Sequence, residues 1–376
     1  MFHAFALALA LDSAVPFTLV NNHITVDVTL NGKGPYHFIF DSGGSNLVDP
    51  AVATEIGAVA RGSARVNGVG NTSQSAQRTT IESLRLGGAE LTAQRFVVLP
   101  TRAGFGASEG PPIDGMIGAE FLARFVTTID YERREMHFGD DPAVYENGAQ
   151  VLPLTLDSGH PHVACRIDDV PGTCTMDTGS RLNVTIVKPF ADAHPAVVPS
   201  ALTANSVDGY GIGNAAYGRL GRLGSIAFGT LAVQNVITDF STQEHGAFAD
   251  SSIAANVGGG ILRRFTLTFD YGRRQLALRP NASFALPDSG DRSGLFLITR
   301  DGAIVVFDVR TGTPSALAGV TKDDVIVSVN GRRYQATELP DVRALLSGPA
   351  GNAVQLELAD KSGATHVVRV VLADYV

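Results

Sequence analysis

The chain has 376 residues, of which 44% are hydrophobic and only 18% charged, and its 41 glycines indicate many tight turns. This length accommodates two or three domains with sizeable cores. The net charge of −8 is spread along the chain without a basic stripe, which argues against nucleic-acid binding, and no apolar run reaches transmembrane length.

Residues 1–13 are predicted to be a leader or the remnant of a signal peptide. The apolar stretch from Phe5 to Leu11 is short for a signal peptide and lacks a basic segment before it. A clipped signal peptide and a leader before the first strand both fit. The sequence therefore favours a periplasmic or secreted location only slightly over a cytoplasmic one.

The chain then repeats itself. FIFDSGGSNL (38–47) aligns with CTMDTGSRLN (174–183), and FLARFVTTIDYERREMHF (121–138) aligns with ILRRFTLTFDYGRRQLAL (261–278). Between these segments, NGVGN aligns with YGIGN. Matches in the same order predict two homologous lobes, residues 14–145 and 146–283.

Each lobe shows short alternating strands and glycine turns, so we predict a mostly β fold. ITVDVTL and PYHFIF, joined by NGKG, form a predicted hairpin that runs into Asp41. HVACRID and TCTM form the equivalent hairpin before Asp177. VDPAVATEIGA (48–58) is one short helix candidate. The two lobes are expected to be β-barrels related by pseudo-twofold symmetry.

Cys165 and Cys174 flank the predicted turn of the second hairpin. A cross-strand disulfide would form there in an oxidising compartment. Otherwise the two cysteines are small apolar residues. The sequence leaves both interpretations open.

The composition changes after residue 280. PNASFALPDSGDRSG is rich in Pro, Ser, Asp and Gly, which predicts a linker at 284–293. Residues 294–376 resemble a bacterial PDZ domain in GLFL, AIVVFDV, TPSALAGV and DDVIVSVNG, with DVRALLSG as the helix that lines the groove. The resemblance implies that an extended peptide binds as an added strand. Its C-terminal carboxylate would be received by Gly294, Leu295, Phe296 and Leu297.

Asp-Ser-Gly-Gly at residues 41–44 has two incompatible interpretations. Ser42 is a nucleophile if the segment is trypsin-like, whereas Asp41 is the catalyst if it is an Asp-Ser-Gly turn. A serine nucleophile needs a histidine base within hydrogen-bond reach, and no upstream histidine has a suitable context. The second lobe carries Asp177-Thr178-Gly179, which keeps the aspartate and loses the serine. We therefore favour the aspartates.

Two facing lobes that each offer one carboxylate form a catalytic pair. Carboxylates about 3 Å apart share one proton, so one activates a water and the other donates to the substrate carbonyl. Gly43 and Gly179 allow the backbone to approach the carboxylates. The hydroxyls of Ser42 and Thr178 are expected to bond the backbone of the opposite lobe.

DSGGSNLVDP and DTGSRLNVTI resemble the two active-site turns of the pepsin and retropepsin superfamily. DGMIG (114–118) resembles the hydrophobic-hydrophobic-Gly element of that superfamily, which is degraded to NVGGG (256–260) in the second lobe. The chain most resembles bacterial retropepsin-like aspartyl proteases with two fused lobes and a C-terminal PDZ domain. The resemblance implies an endopeptidase that acts as a monomer on peptides or unfolded protein, with no metal and no other cofactor. Its catalytic residues would be Asp41 and Asp177.

Two departures from the family pattern concern the support of these aspartates. Position 44 is glycine where the family commonly has a residue whose hydroxyl bonds the outer carboxylate oxygen. Ser180 is the expected donor for Asp177, and Ser45 is a candidate substitute for Asp41. With the degraded NVGGG, these departures leave one rival: an inactive scaffold that binds peptides through its PDZ domain.

The family places a glycine-rich flap hairpin about 30 residues after each aspartate turn, where NGVGN and YGIGN lie. A flap closes over the bound peptide and excludes water. Tyr210 is the flap residue expected to contact substrate, although both segments also fit ordinary hairpin turns. The flap candidates are Gly68, Val69, Gly70, Tyr210, Gly211, Ile212 and Gly213.

Overall fold

The computed structural model describes residues 14–139 and 148–376. The predicted leader and the predicted boundary between the lobes at 145/146 lie outside the described residues. The fold is mostly β, with 48% strand and 14% helix, as the glycine-rich alternating pattern predicts. Within the described ranges, we find no helix that is long and apolar enough to cross a membrane.

The first lobe is built around an eight-stranded sheet in the order β2-β3-β4-β9-β5-β8-β7-β6. Its hydrophobic alternation places one face of each long strand in the core. The elements are β1 (Val15–Pro16), β2 (Thr18–Val20), β3 (His23–Leu30), β4 (Lys33–Phe40), β5 (Leu47–Val48), α1 (Pro50–Glu55), β6 (Arg61–Val66), β7 (Gln74–Leu86), β8 (Ala89–Val98), α2 (Thr101–Glu109), β9 (Gly115–Ile117), α3 (Ala119–Leu122), β10 (Val126–Asp130) and β11 (Glu135–Gly139).

The second lobe repeats this plan. Its elements are β12 (Gln150–Pro153), β13 (Thr155–Asp157), β14 (His160–Ile167), β15 (Val170–Met176), β16 (Val184–Ile186), α4 (Lys188–Ala193), a 3₁₀ turn (Pro195–Val197), β17 (Ser206–Gly211), β18 (Asn214–Phe228), β19 (Leu231–Ser241), a 3₁₀ turn (Ala247–Ala249), β20 (Ala255–Val257), α5 (Gly259–Leu262), β21 (Phe265–Asp270) and β22 (Gln275–Pro280). Its sheet order, β13-β14-β15-β20-β16-β19-β18-β17, is that of the first lobe element by element.

A third sheet joins the lobes in the order β1-β11-β10-β21-β22-β12. At its centre Thr128 pairs with Thr268, and their hydroxyl oxygens lie 3.0 Å apart. These two threonines occupy the same place in the repeated segments. The pseudo-twofold axis therefore passes between them, and each lobe presents the same edge to the other.

The PDZ domain is a five-stranded sheet in the order β23-β24-β25-β26-β27. Its own core contains Leu297, Val306, Leu339 and Leu356. The elements are β23 (Leu295–Arg300), β24 (Ala303–Val309), α6 (Pro314–Leu317), β25 (Val325–Val329), a 3₁₀ turn (Ala336–Glu338), α7 (Leu339–Leu346), β26 (Ala353–Ala359) and β27 (Thr365–Val371).

The segment predicted as a linker is docked against its neighbours. The Asp288 carboxylate pairs with Arg264 at 2.9 Å and accepts a hydrogen bond of 2.7 Å from the Asn183 amide. Ser293 is fully buried. These contacts fasten the chain to the second lobe before it enters the PDZ domain, so the connection is more rigid than its composition indicates.

Cys165 and Cys174 form a disulfide between the neighbouring strands β14 and β15. Both residues are buried in the core of the second lobe. The bond closes the hairpin whose last residues lead directly into Asp177. It therefore ties the strand that carries the second aspartate to its partner.

We expect the double substitution Cys165→Ala and Cys174→Ala to lower the free energy of unfolding by about 2–3 kcal/mol, because the short loop is no longer closed in the unfolded chain. Thermal unfolding followed by circular dichroism should show a midpoint lower by about 5 °C. A reductant should lower the wild-type midpoint and leave the double variant unchanged. Equal midpoints for the oxidised wild type and the variant would contradict this role.

Candidate active site

Two equivalent strand ends position Asp41 and Asp177. Strand β4 runs parallel to β9, and the Asp41 backbone amide donates to the Ile117 carbonyl at 2.8 Å. Strand β15 runs parallel to β20, and the Asp177 amide donates to the Val257 carbonyl at 2.9 Å. The hydrophobic-hydrophobic-Gly elements of the sequence thus form the strands beneath the two turns.

The residues after the two aspartates bind each other across the lobes. The Ser42 hydroxyl donates to the Met176 carbonyl at 2.7 Å, and the Thr178 hydroxyl donates to the Phe40 carbonyl at 2.8 Å. Each hydroxyl oxygen also accepts the other turn's amide, at 3.0 and 2.9 Å. Both side chains are fully buried. The Ser42 hydroxyl is fully used in holding the turns together, which leaves it unsuited to act as a nucleophile.

The glycines of the two turns lie against the opposite carboxylates. A Cβ atom on Gly179 would lie 2.1 Å from the Asp41 Cγ, and one on Gly43 would lie 2.5 Å from the Asp177 Cγ. Each glycine amide also donates to the aspartate of its own turn, at 2.8 Å for Gly43 and 2.9 Å for Gly179. Only glycine allows this approach, because any side chain would displace a carboxylate.

The two carboxyl groups lie within hydrogen-bonding reach of each other. Burial, followed by the neighbouring charge of Asp177, raises the pKa of the Asp41 carboxyl well above its usual range. Two adjacent carboxylates cannot both ionise at low cost. The pair therefore shares one proton.

The outer oxygen of Asp177 has a donor that the sequence analysis missed. The Asn256 side-chain amide donates to the Asp177 Oδ2 at 2.8 Å. Ser180, the expected donor, instead directs its hydroxyl toward Gly258, where an added Cβ would lie 2.8 Å from its Oγ. Asn256 thus fills the donor position at the outer oxygen of Asp177. In the sequence, this donor is indicated only by the polar residue at the start of NVGGG, where the first lobe has the apolar Met116.

Glycine at position 44 also has a steric explanation. A Cβ there would lie 2.4 Å from the Asp41 Oδ2, so a side chain would push the carboxylate away. Ser45, the candidate substitute, hydrogen-bonds to Glu120, which also accepts the Asn46 amide at 3.0 Å. Burial raises the pKa of Glu120. Ser45 therefore supports the loop through Glu120.

The predicted flap residues form the tips of two hairpins, β6–β7 and β17–β18, and the tips meet. The Gly70 amide donates to the Ile212 carbonyl at 3.0 Å, and the Thr72 hydroxyl donates to the Gly213 carbonyl at 3.1 Å. A Cβ on Gly70 would lie 1.9 Å from the Gly213 oxygen, and one on Gly68 would lie 2.5 Å from the Ile212 Cβ. The two hairpins are thus closed on each other, with Val69 and Gly211 in the same contact.

Tyr210 lies in β17, beside the PDZ sheet. Its ring packs edge-on against Phe307 of the PDZ domain, with the ring centroids 5.5 Å apart. Contact between Tyr210 and substrate stays a prediction.

The predicted carboxylate loop of the PDZ domain leads into the edge strand β23, opposite α7. Gly294 has a φ of +83°, and an added Cβ would lie 2.0 Å from the Thr313 hydroxyl oxygen, so this turn requires glycine. Leu295, Phe296 and Leu297 follow in β23. Arg343 of α7 donates to the Leu297 carbonyl at 2.7 Å.

A buried polar chain links the second aspartate turn to α2, and no motif in the sequence indicates it. One ring nitrogen of His23 lies 3.0 Å from the Gly179 carbonyl oxygen, and the other lies 3.2 Å from the Glu109 carboxylate. Glu109 is buried and also accepts from the Asn21 amide at 2.9 Å. Burial alone would raise the pKa of Glu109, but His23 and Arg181 outweigh it and lower this pKa. The charged carboxylate thus holds His23 against the catalytic turn.

Two segments of the chain match known protein families. Residues 26–121 match the family model of aspartyl proteases, and residues 305–360 match that of PDZ domains. These matches confirm the resemblance to retropepsin-like aspartyl proteases with a PDZ domain that the motifs indicated.

Among solved structures, the chain is similar to an aspartic proteinase from Irpex lacteus, at 15% identity and a TM-score of 0.46, over 73% of this chain and 98% of that one. It is also similar to Basic 7S globulin from soybean, at 10% identity and a TM-score of 0.43, over 71% of this chain and 94% of that one. No curated protein matches the sequence.

We expect Asn256→Met to move the acidic arm of a pH–activity profile upward by about one pH unit. Loss of this hydrogen bond makes the singly protonated pair less favoured, so the pair takes up its second proton at higher pH. Methionine is the residue at the equivalent place in the first lobe, Met116, so the backbone tolerates it. The profile is measured as kcat/KM for a short peptide.

Asn352→Met is the matched control, because Asn352 is exposed on the PDZ domain. It should leave the profile unchanged. An acidic arm that stays in place in a folded Asn256→Met protein would show that Asn256 does not set the charge of Asp177.

Proposed function

We propose that the protein is an aspartic endopeptidase that hydrolyses peptides or unfolded protein with Asp41 and Asp177. The observation that carries this proposal is the carboxyl pair, each member facing the glycine of the other lobe's turn. Both carboxyl groups are held by amides of their own turns, at 2.8 and 2.9 Å. No metal or organic cofactor is needed for this chemistry.

The asymmetry of the pair assigns its roles. Ionised Asp177, supported by Asn256, takes a proton from a water placed between the two carboxyl groups. Asp41, with its raised pKa, donates its proton to the oxygen of the scissile carbonyl. The attack gives a tetrahedral diol. Asp177 then passes its proton to the leaving nitrogen while a diol hydroxyl returns a proton to Asp41, and the C–N bond breaks to give the new carboxyl and amino ends. Both aspartates come from one chain, so a monomer carries the complete pair.

The flap contacts imply that the hairpins open before substrate binds. Their tips are joined by the Gly70–Ile212 hydrogen bond, and the Gln243 amide donates to the Val69 carbonyl at 2.9 Å. Closure over a bound peptide would exclude bulk water from the carboxyl pair. The substrate would lie extended between the flaps and the aspartate turns.

The features that favoured an inactive scaffold have explanations that fit catalysis. Gly44 leaves room for the Asp41 carboxylate, and the altered NVGGG provides Asn256 as a donor to Asp177. Both changes lie at the carboxyl pair and preserve it. We therefore prefer the enzyme to the scaffold. Peptide binding by the PDZ domain, at Gly294–Leu297 and along β23, remains part of the proposal.

We expect Asp41→Asn and Asp177→Asn each to lower cleavage of denatured casein by at least about a thousandfold, because each removes one half of the acid–base pair. Asp27→Asn, on an exposed carboxylate of β3, is the matched control and should keep full activity. Ser42→Ala should reduce stability, since it leaves buried amide and carbonyl groups unpaired, yet retain activity per folded molecule within about tenfold. Circular dichroism checks folding.

The serine interpretation predicts instead that Ser42→Ala is inactive. If folded Ser42→Ala were as inactive as Asp41→Asn, and a serine-directed phosphonate labelled Ser42 in the wild type, the aspartic mechanism would be wrong.

We also expect a bell-shaped pH profile. At low pH the pair gains a second proton and loses its base, and at high pH it loses the shared proton and hence its acid. Because burial and Asp177 raise the pKa of Asp41, the alkaline arm lies well above the ordinary range of carboxyl groups. Specific activity should stay constant over a hundredfold dilution. A plateau above pH 8, or activity that falls with dilution, would contradict a single-chain carboxyl pair.

A further inference from the structure

Helix α2 of the first lobe lies at one end of the PDZ peptide groove. The Thr299 hydroxyl at the end of β23 lies 3.4 Å from the Ala107 carbonyl. A Cβ on Gly110 would lie 2.9 Å from the Leu339 Cβ and 3.0 Å from the Ala336 carbonyl oxygen, at the start of α7. The end of α2 thus fills the space between β23 and α7 that the upstream residues of a bound peptide would need.

The middle of the groove is also engaged. The Arg343 guanidinium donates a hydrogen bond to the Leu297 carbonyl. A peptide strand paired with β23 would use the same acceptor. Burial lowers the pKa of Arg343 to about 9, and Glu109 at the end of α2 acts against that shift. The carboxylate-loop end of the groove opens into a cavity of about 560 Å³, which Leu297 and Arg343 also line. A bound strand therefore has to move α2 and Arg343.

The opposite side of α2 contacts the second flap. A Cβ on Gly211 would lie 3.5 Å from the Phe105 ring of α2 and 3.2 Å from a Val69 methyl group. Phe105 and Ile212 also pack against a common apolar cluster of the first lobe that includes Ile39 and Met116. Helix α2 is therefore held between the PDZ groove and the flap tips.

The PDZ domain also holds the base of this flap directly. The Asp308 carboxylate accepts the Ser206 hydroxyl at 2.5 Å and the Val207 amide at 2.8 Å. Phe307 packs on Tyr210, and Phe296 and Ile298 share an apolar cluster with Val207. The strand β17 is thereby fastened to the PDZ sheet over most of its length.

We propose that the PDZ domain is a brace that keeps the flaps closed, and that α2 is the resident occupant of its peptide groove. The partner that this surface fits is an extended peptide, which pairs with β23, displaces α2 and Arg343, and frees the second flap to open. This inference rests on the proposed function only where it concerns activity. The contacts between α2, the PDZ domain and the flap do not depend on catalysis.

The first test loosens the flap from the PDZ side. Hydrogen–deuterium exchange of residues 206–214 is compared in the full-length wild type, Phe307→Ala and Asp308→Asn. Leu317→Ala is the control, because Leu317 is 81% exposed on the PDZ surface. Loss of the aromatic contact should raise the exchange rate of the flap amides in Phe307→Ala about two- to tenfold. Unchanged exchange in both variants would overturn the brace.

The second test moves α2 itself. Gly110→Ala places a methyl group against Leu339 at a backbone φ of +96°, so it should expel the end of α2 from the groove. Gly104→Ala is the matched control in the same helix, because nothing lies within 4 Å of its added Cβ. Gly110→Ala should raise exchange in β23 and in residues 206–214, whereas Gly104→Ala should not. Raised exchange confined to α2 would show that the helix is not coupled to the flap.

Activity separates this inference from the proposed function. If both hold, Phe307→Ala and Gly110→Ala should raise kcat/KM for a short peptide, since opening the flaps then requires less energy. Raised flap exchange in proteins that cleave nothing, wild type included, would reject the protease and keep the brace. Faster exchange with a lower kcat/KM than the controls would reject the brace as a restraint on opening.

Discussion

Four hydrogen bonds between the Ser42 and Thr178 turns hold the carboxyl groups of Asp41 and Asp177 face to face. Like charges in a buried site repel, so this placement is unfavourable unless the surrounding backbone is fixed. The two hydroxyls fix it by satisfying backbone groups of the opposite lobe. The sheet centred on the Thr128–Thr268 pair aligns the lobes so that these contacts form on both sides of one axis.

The two halves have diverged where the chemistry requires a difference. A symmetric pair would leave the shared proton on either carboxyl group with equal probability. Here Asn256 donates to Asp177, whereas its counterpart Met116 has no hydrogen to donate to Asp41. Gly44 leaves the outer oxygen of Asp41 without a hydroxyl beside it, so burial dominates and raises the pKa of this group. In the proposed mechanism, these changes to the motif set the direction of proton transfer.

The sequence predicted the features that follow from local residue patterns and from the internal repeat. The duplicated lobes, the aspartate turns and the strand-rich class follow from alternating residues, glycine turns and aligned segments. Asn256 was missed because its partner is 79 residues away in the chain, and only folding brings them together. Helix α2 was missed for another reason: TRAGFGASE contains two glycines, which disfavour a helix, so packing must stabilise it. The disulfide could not be predicted with certainty, because cysteine spacing does not show whether the compartment is oxidising.

The packing around the second flap would let a single PDZ domain act on both sides of the cleft. The second flap contacts the PDZ sheet through Tyr210 and Val207. The first flap is tied to the second at the tips, where Gly70 donates to Ile212 and Thr72 donates to Gly213. A restraint on one hairpin is therefore transmitted to the other without a second contact. If the two flaps bind each other more firmly than either binds the cleft, a contact on one flap can control the opening of both.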